Sequence, residues 1–323
     1  MDTSSPTIDS LRKVPSAEDS TADCEGTSTP ATSLQYYIFG QGISFSMSPT
    51  VHNAGFAYYK LPHHYSIQQS PSTETFAPLI AAPDFGGASV TMPHKLAINK
   101  YCTSTSIHAQ RIGAVNTLVV QTQPPARSES QVKQILGENT DWSGLASIIE
   151  QHDASSPTPA RTGLVIGAGG ASRAAIYAMY QSGLSTIYLY NRTLSRASEV
   201  ASSFSSLFTT TIVDSLSSLP SASPPDIIIG TVPADRTTAA FFPTALFAKT
   251  KGLCIDMAYK PRETPLLSVA RGHEGWETVT EVEVLLAQGY EQFQLWTGRE
   301  APKQCILDAV AAHDAATVAA ARL

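Results

Sequence analysis

Residues 163–193, GLVIGAGGASRAAIYAMYQSGLSTIYLYNRT, carry the architecture of this chain. Leu164-Val165-Ile166 is an apolar run too short for a helix and suited to a buried strand. Gly167-Ala168-Gly169-Gly170-Ala171 follows directly. A helix is expected over 172–181, with Ala174, Ala175, Ala178 and Met179 at helical spacing and Gly183 placed to end it. A second strand over 186–190 closes on Asn191-Arg192-Thr193. Strand, glycine turn, helix and strand form a βαβ unit of the dinucleotide-binding kind. The glycines permit a tight turn and let a pyrophosphate approach the helix N-terminal amides, where the dipole favours an anion. Ser172 stands where the third glycine of that pattern usually falls. A purely structural turn is the alternative reading.

The second strand ends without an aspartate or glutamate to hold a ribose 2′-hydroxyl. Arg192 can instead offer a 2′-phosphate a planar fork, Thr193 a hydroxyl, and Arg196 a further cation one turn on. This pattern points to NADP rather than NAD.

Beyond the unit, 323 residues suggest two domains with ample size for a core. Hydrophobic content of 42% and charged content of 15% are those of a globular protein. A net charge of −6 with no basic run argues against nucleic acid as partner. No apolar run reaches the roughly 18 residues that span a bilayer, so no membrane partner is expected. The four cysteines show neither metal-ligand spacing nor a disulfide framework, which fits a cytoplasmic compartment and no metal. Residues 1–33 are rich in Ser, Thr, Pro and acids and read as a disordered tail.

The N-terminal half is expected to start with a strand over 35–39. It runs into Gln41-Gly-Ile-Ser-Phe45-Ser46-Met-Ser48-Pro49, where Ser48 and Pro49 read as N-cap and first residue of a helix to about residue 59. Two hydroxyls, Ser46 and Ser48, beside a helix N-terminus also suit a carboxylate, so both readings stand. Strand, helix and strand follow over 64–68, 75–81 and 87–91. Pro93 can start a helix reaching residue 101, placing Lys95 in a first turn whose dipole repels a cation. That misfit hints at a role other than stability, whereas His94 reads as solvated. A strand over 112–120 carries Asn116, a polar residue that should be hydrogen-bonded. After a loop over 123–131 comes a paired strand near 133–136, then Asn139-Thr140-Asp141 and a helix over 142–151, which Asp141 could cap.

Residues 152–162 have linker composition. Short apolar runs over 210–213, 226–230, 252–256 and 276–280 suggest a parallel sheet. Ser-rich 202–223 reads as surface helix and loop. Thr280 and Glu283 form a capping box, and 302–323 reads as one long helix.

On these residues the chain resembles the shikimate dehydrogenase family along nearly its whole length after the tail. Ser46-Met-Ser48-Pro-Thr-Val-His52-Asn53 is similar to the family's substrate-carboxylate motif, and Val90-Thr91-Met-Pro93-His-Lys95 to its catalytic-lysine motif. Gly113-Ala-Val-Asn116-Thr and Asn139-Thr-Asp141 match its next two motifs, and the glycine turn with Asn191-Arg192-Thr193 its NADP site. Asp256-Met-Ala-Tyr259-Lys-Pro and 288–298 fit its C-terminal half. The Thr231-Val-Pro-Ala-Asp235 wording and the 295–302 ending are most similar to the shikimate dehydrogenase domain of the fungal multidomain aromatic-pathway protein, here as a free-standing chain.

The resemblance implies Lys95 and Asp141 as the catalytic pair and Ser46, Ser48 and Tyr259 around a substrate carboxylate. It implies Thr91, Asn116 and Gln288 on ring hydroxyls. Gly167, Ala168, Gly169, Gly170, Ala171, Asn191, Arg192, Thr193, Arg196, Thr231 and Met257 would hold NADP. The implied fold is α/β: an N-terminal substrate domain (34–141), a Rossmann-type parallel-sheet NADP domain (142–282) and C-terminal helices (283–323) returning to the substrate domain. The implied activity is reversible, NADPH-dependent reduction of 3-dehydroshikimate to shikimate by a monomer or homodimer acting on a small molecule. Quinate oxidation and a non-catalytic metabolite-sensing regulator are the alternatives. Two departures stand out: Phe45 where the family usually has histidine, and Thr103-Ser-Thr-Ser106 where it usually has an acidic stretch.

Overall fold

Alternating strands and helices bury two sheets, one mixed and one wholly parallel. The computed structural model of the chain describes residues 32–121, 133–156, 158–219 and 223–320. The tail expected over 1–33 (up to residue 31), the loop over 123–131 and the last residues of the C-terminal helix lie outside them.

The first sheet holds β1 (Gln35–Gly40), β2 (His64–Gln69), β3 (Phe85–Val90), β4 (Ser104–Thr105), β5 (Thr117–Gln121) and β6 (Gln134–Glu138) in the order β2-β1-β3-β5-β6-β4. β1 pairs in parallel with β2 and β3, while β5 runs antiparallel to β3 and β6. The helices here are α1 (Ser48–Tyr58), α2 (Ala77–Ala81) and α3 (Ile107–Ile112).

From α4 (Asp141–Ala154) the chain enters the second sheet. It comprises β7 (Thr162–Ile166), β8 (Thr186–Tyr190), β9 (Thr210–Val213), β10 (Ile227–Gly230), β11 (Gly252–Asp256) and β12 (Trp276–Val279), all parallel, in the order β12-β11-β10-β7-β8-β9. Its α-helices are α5 (Gly170–Gln181), α6 (Leu194–Ser203) and α7 (Pro265–Arg271). Strand order reverses between β10 and β7, and open parallel sheets bind ligands at the carboxyl ends beside such a switch. Apolar clusters cover both faces of this sheet, built around Val165, Ile176 and Leu189 on one and Ile166, Ile228 and Leu266 on the other. The near-continuous apolar strands of the sequence follow from that two-sided burial.

α8 (Glu281–Thr297) and α9 (Lys303–Ala320) return to the first sheet, where Phe293 and Ile306 pack with Tyr36, Val51 and Phe56. Gly144 of α4 lets α8 approach closely: a Cβ there would lie 2.8 Å from the Gln288 backbone nitrogen. The Thr280–Glu283 capping box forms as expected.

Several local expectations are corrected. The segment after Pro93 is no α-helix but two 3₁₀ turns, His94–Leu96 and Ile98–Tyr101, too short to meet the cost of nucleating an α-helix. Residues 112–116 are not strand: α3 ends at a left-handed Gly113 (φ 71°), a C-cap conformation that glycine adopts without a Cβ penalty. The helix expected over 75–81 is split into a 3₁₀ turn, Thr73–Phe76, and α2. α4 continues through His152 and Asp153, so the linker begins later than its composition suggests. The departure at 103–106 has a structural use: Ser106 caps α3 by accepting from Ala109 N (3.0 Å), and Thr103 accepts from Ile135 N (2.8 Å).

Candidate active site

Asp141 is the first residue of α4, and the side chain that serves the first-turn amides is Asn139. Asn139 Oδ1 accepts from Asp141 N (3.1 Å) and Trp142 N (3.3 Å), and its amide donates to Ala114 O (2.9 Å). The cap reading of Asp141 is therefore corrected. Its carboxylate is left to take Lys95, Nζ to Oδ2 at 2.5 Å, with side-chain exposures of only 14% and 7%. Because Lys95 sits in a short 3₁₀ turn, the helix-dipole argument for it lapses. What marks it is a part-buried ion pair spanning two elements. His94 beside it is buried, with Nε2 2.8 Å from Ser70 O and its ring edge-on to Phe76, so the solvated reading is corrected too.

Ser48 is likewise no cap: Met47 holds the N-cap position of α1 and makes no side-chain cap bond. The Ser46 hydroxyl donates to Ser48 Oγ (3.2 Å), and Ser46 Oγ accepts from Ser48 N (3.3 Å). Tyr259, on the loop after β11, reaches the same turn and accepts from Met47 N (3.0 Å). Burial pushes the Tyr259 phenol well above its ordinary range, so it stays protonated. The three hydroxyls converge across a large sequence separation. Phe45 lies against Tyr259, ring centroids 4.9 Å apart.

Asn116 is buried and hydrogen-bonded, as its place in an apolar run required. Its amide donates to Thr140 Oγ1 (3.0 Å) and Gln288 Oε1 (3.3 Å), and its Oδ1 accepts from Thr140 N (2.7 Å) and Thr117 Oγ1 (2.7 Å). Gln292 Nε2 extends the network to Thr117 Oγ1 (2.9 Å), and Gln292 Oε1 accepts from Ser89 (2.8 Å). Asn116 and Gln288 thus meet beside α4, whereas the Thr91 hydroxyl has no partner among the described residues.

The glycine turn sits at the carboxyl end of β7. Gly167 has φ +125°, and a Cβ there would lie 2.2 Å from Thr231 Oγ1, so the position requires glycine. Thr231 donates to Ile166 O (2.9 Å), Gly167 N to Tyr190 O (2.8 Å) and Met257 N to Gly230 O (2.9 Å). Gly167, Asn191, Thr231 and Met257 therefore line neighbouring strand ends. Ser172 explains its own presence: its hydroxyl accepts from Gly169 N (2.5 Å) and closes the turn. Ala168 lies part-buried in the turn, and Gly170 and Ala171 open α5, where first-turn amides have no intrahelical acceptor. A Cβ on Gly170 would come within 3.3 Å of the Lys95 Cβ, so the turn abuts the Lys95–Asp141 pair. Gly169 faces open space. Arg192 and Arg196 are exposed and form no ion pair among the described residues, and Thr193 precedes α6 without capping it.

In the sequence the capping box marks Glu283, and nothing distinguishes Glu281 from a solvated first-turn acid. It opens α8 half-buried, with no hydrogen-bond partner among the described residues. Burial pushes its carboxyl up to about 8 against the opposing pull of Lys95, and its charge is felt by Tyr259. His52, quoted in the serine motif, is buried between Tyr65 and Trp296, and burial pushes it down to about 3. No group of side chains suited to a metal ion occurs among the described residues. No helix among them is long and apolar enough to cross a membrane.

Comparison with known proteins gives consistent matches along the chain. Residues 38–118 match the family described as the shikimate dehydrogenase substrate binding domain, 151–263 shikimate / quinate 5-dehydrogenase, and 282–311 the shikimate 5'-dehydrogenase C-terminal domain. The pentafunctional AROM polypeptide of Malassezia globosa is 43% identical over 275 residues, which cover 83% of this chain and 17% of that protein. The quinate repressor protein of Emericella nidulans is 35% identical over 305 residues, 84% of this chain and 34% of the repressor. The chain thus spans only 17% and 34% of the length of these curated relatives. Among solved structures, dehydroquinate dehydratase and shikimate dehydrogenase from S. pombe AroM is 34% identical, with TM-score 0.70, covering 86% of this chain and 53% of that one. A Thermus thermophilus shikimate 5-dehydrogenase in complex with NADP(H) and shikimate is 27% identical, with TM-score 0.68, covering 85% and 98%.

Proposed function

The chain belongs to the shikimate dehydrogenase family, and from that premise we propose that it interconverts 3-dehydroshikimate and shikimate with NADP(H). The observation that carries this reading is the 2.5 Å Lys95–Asp141 pair, part-buried and pressed against the glycine turn by Gly170.

The residues at the strand ends fit a dinucleotide: a glycine cradle open at Gly169, uncommitted first-turn amides on α5, and Arg192 ahead of α6. When bound, the dinucleotide supplies or accepts the hydride. Arg192, Thr193 and Arg196 would take a 2′-phosphate, with no acid at the end of β8 to repel it. At the carbonyl, the Lys95 ammonium stabilises the developing alkoxide and gives it a proton. Asp141 orients that ammonium and accepts from a neighbouring ring hydroxyl. Ser46, Ser48 and the protonated Tyr259 phenol hold the carboxylate, and Thr91, Asn116 and Gln288 face the remaining hydroxyls. All the hydrogen-bonding positions of Asn116 are already occupied, so its part is to exchange a bond rather than to offer a free one.

A metabolite-sensing regulator is the second reading, favoured by the likeness to the Emericella nidulans quinate repressor. Lys95→Ala tests the enzyme reading. Turnover of shikimate should fall by about 10²–10⁴ while shikimate affinity changes far less. Wild-type turnover in that variant would remove Lys95 from the mechanism.

A further inference from the structure

The serine end of the cleft offers a carboxylate only neutral hydroxyls, and an anion drawn from water without a counter-charge carries a large desolvation cost. Most nearby charges are already committed or suppressed: burial pushes the Glu281 carboxyl, the acid that Tyr259 feels, up to about 8 and so holds it protonated at neutral pH. Lys95 is held by Asp141 at 2.5 Å, and Arg262 pairs with Asp314. His52 is buried with its Nδ1 unpartnered and is kept neutral by that burial. Lys260 is different. It is exposed, has no carboxylate partner among the described residues, and its Nζ lies 4.0 Å from the centroid of the Phe45 ring.

The contacts lead from that ammonium to the serines. The Phe45 ring lies 4.9 Å from the Tyr259 ring at 52°, and Tyr259 accepts from the Met47 amide between Ser46 and Ser48. Phe45 is among the more exposed of the large apolar side chains, at 37%, so core packing alone does not account for it. Its π-face does give the ammonium a fixed seat, because the ring quadrupole attracts a cation. A protonatable ring at 45 would repel that cation when charged.

Resting on the substrate reading above, we propose that Lys260, seated on Phe45, is the cation that selects carboxylate-bearing substrates at this end of the cleft. The charge acts across the rim of the site, so it favours binding of the anion and leaves the carbonyl chemistry at Lys95 alone.

The test uses the full chain with NADP, comparing shikimate with its methyl ester at low ionic strength. Lys260→Met should raise the KM for shikimate about three- to tenfold, with kcat moving less than about twofold. Phe45→Leu should produce a smaller rise, about two- to threefold, and Phe45→His a rise that grows as the pH falls. The ester should show the same KM in all these proteins. Raising the salt from about 0.05 to 0.5 M should bring the unsubstituted chain toward Lys260→Met. An unchanged KM in Lys260→Met at low salt, or equal losses for acid and ester, overturns the assignment. Absence of turnover in the unsubstituted chain would sink the dehydrogenase reading instead. Lys260 is then read by calorimetric titration of shikimate into the unsubstituted chain and Lys260→Met. Weaker binding by the variant upholds the assignment; equal affinities, or no binding at all, overturn it.

Discussion

Ser48→Ala separates binding from folding at a single hydroxyl. Because Met47 is the N-cap of α1 and no side chain caps it, losing the hydroxyl should leave the melting temperature nearly unchanged. A hydrogen bond to a charged group contributes roughly 1.5–3 kcal/mol, so the KM for shikimate should rise about tenfold to a hundredfold in Ser46→Ala or Ser48→Ala. A shift in melting with no change in KM would return Ser48 to a structural role. Arg192→Ala should likewise erase a preference for NADP over NAD of at least roughly tenfold, about 1.4 kcal/mol, with NAD kinetics nearly unchanged. Initial rates with both cofactors check it, and a preference that survives the substitution would place the 2′-phosphate elsewhere. At this scale the sequence was ambiguous for a physical reason. Serine and aspartate at a helix start serve equally as caps or as ligands, and Ser48 and Asp141 were separable only once Met47 and Thr140 were seen in the cap positions, with Asn139 taking the first amides of α4.

Among elements, the α4–α8 contact does the placing. Gly144 lets the two helices approach until its absent Cβ would sit 2.8 Å from the backbone of Gln288, and Asp141 and Gln288 are carried on those helices. Gly144→Ala should force them apart, costing about 1–3 kcal/mol of stability. It should lower turnover along with stability, because the Asn116–Thr140–Gln288 network spans the same contact. Denaturant unfolding and initial rates measure both, and full activity with lowered stability would show that the spacing is not critical to the site. The βαβ unit was legible to within two residues, since apolar runs and glycines mark a parallel strand and its turn locally. The 3₁₀ turns around Lys95 were not, because a proline followed by helix-compatible residues does not disclose how few turns will form. Glu281 was not legible for a related reason: only tertiary packing brings the start of α8 toward Lys95 and Tyr259.

For the whole molecule, buried His52 and half-buried Glu281 set opposing pH slopes. His52 falls from its ordinary 6.5 to about 3, so the native state binds fewer protons there than the unfolded chain, and stability is lost as pH falls below about 6.5. Glu281 rises from 4.5 to about 8, so the native state holds a proton that the unfolded chain releases, and stability is lost as pH rises toward about 8. The two oppose one another between 4.5 and 6.5, and above 6.5 only the Glu281 slope remains. Melting temperature should therefore decline from about pH 6.5 to 8.5, and Glu281→Gln should flatten that decline; a parallel decline in the variant would assign it to other groups.

The measurement that bears most directly on the proposed function is the initial rate of the purified chain with shikimate and with quinate, each against NADP and NAD. Reduction of NADP by shikimate faster than any other pairing, abolished by Lys95→Ala, is the result expected. Saturable binding of shikimate with no turnover in any pairing would contradict it and make this chain a sensor built on a dehydrogenase fold.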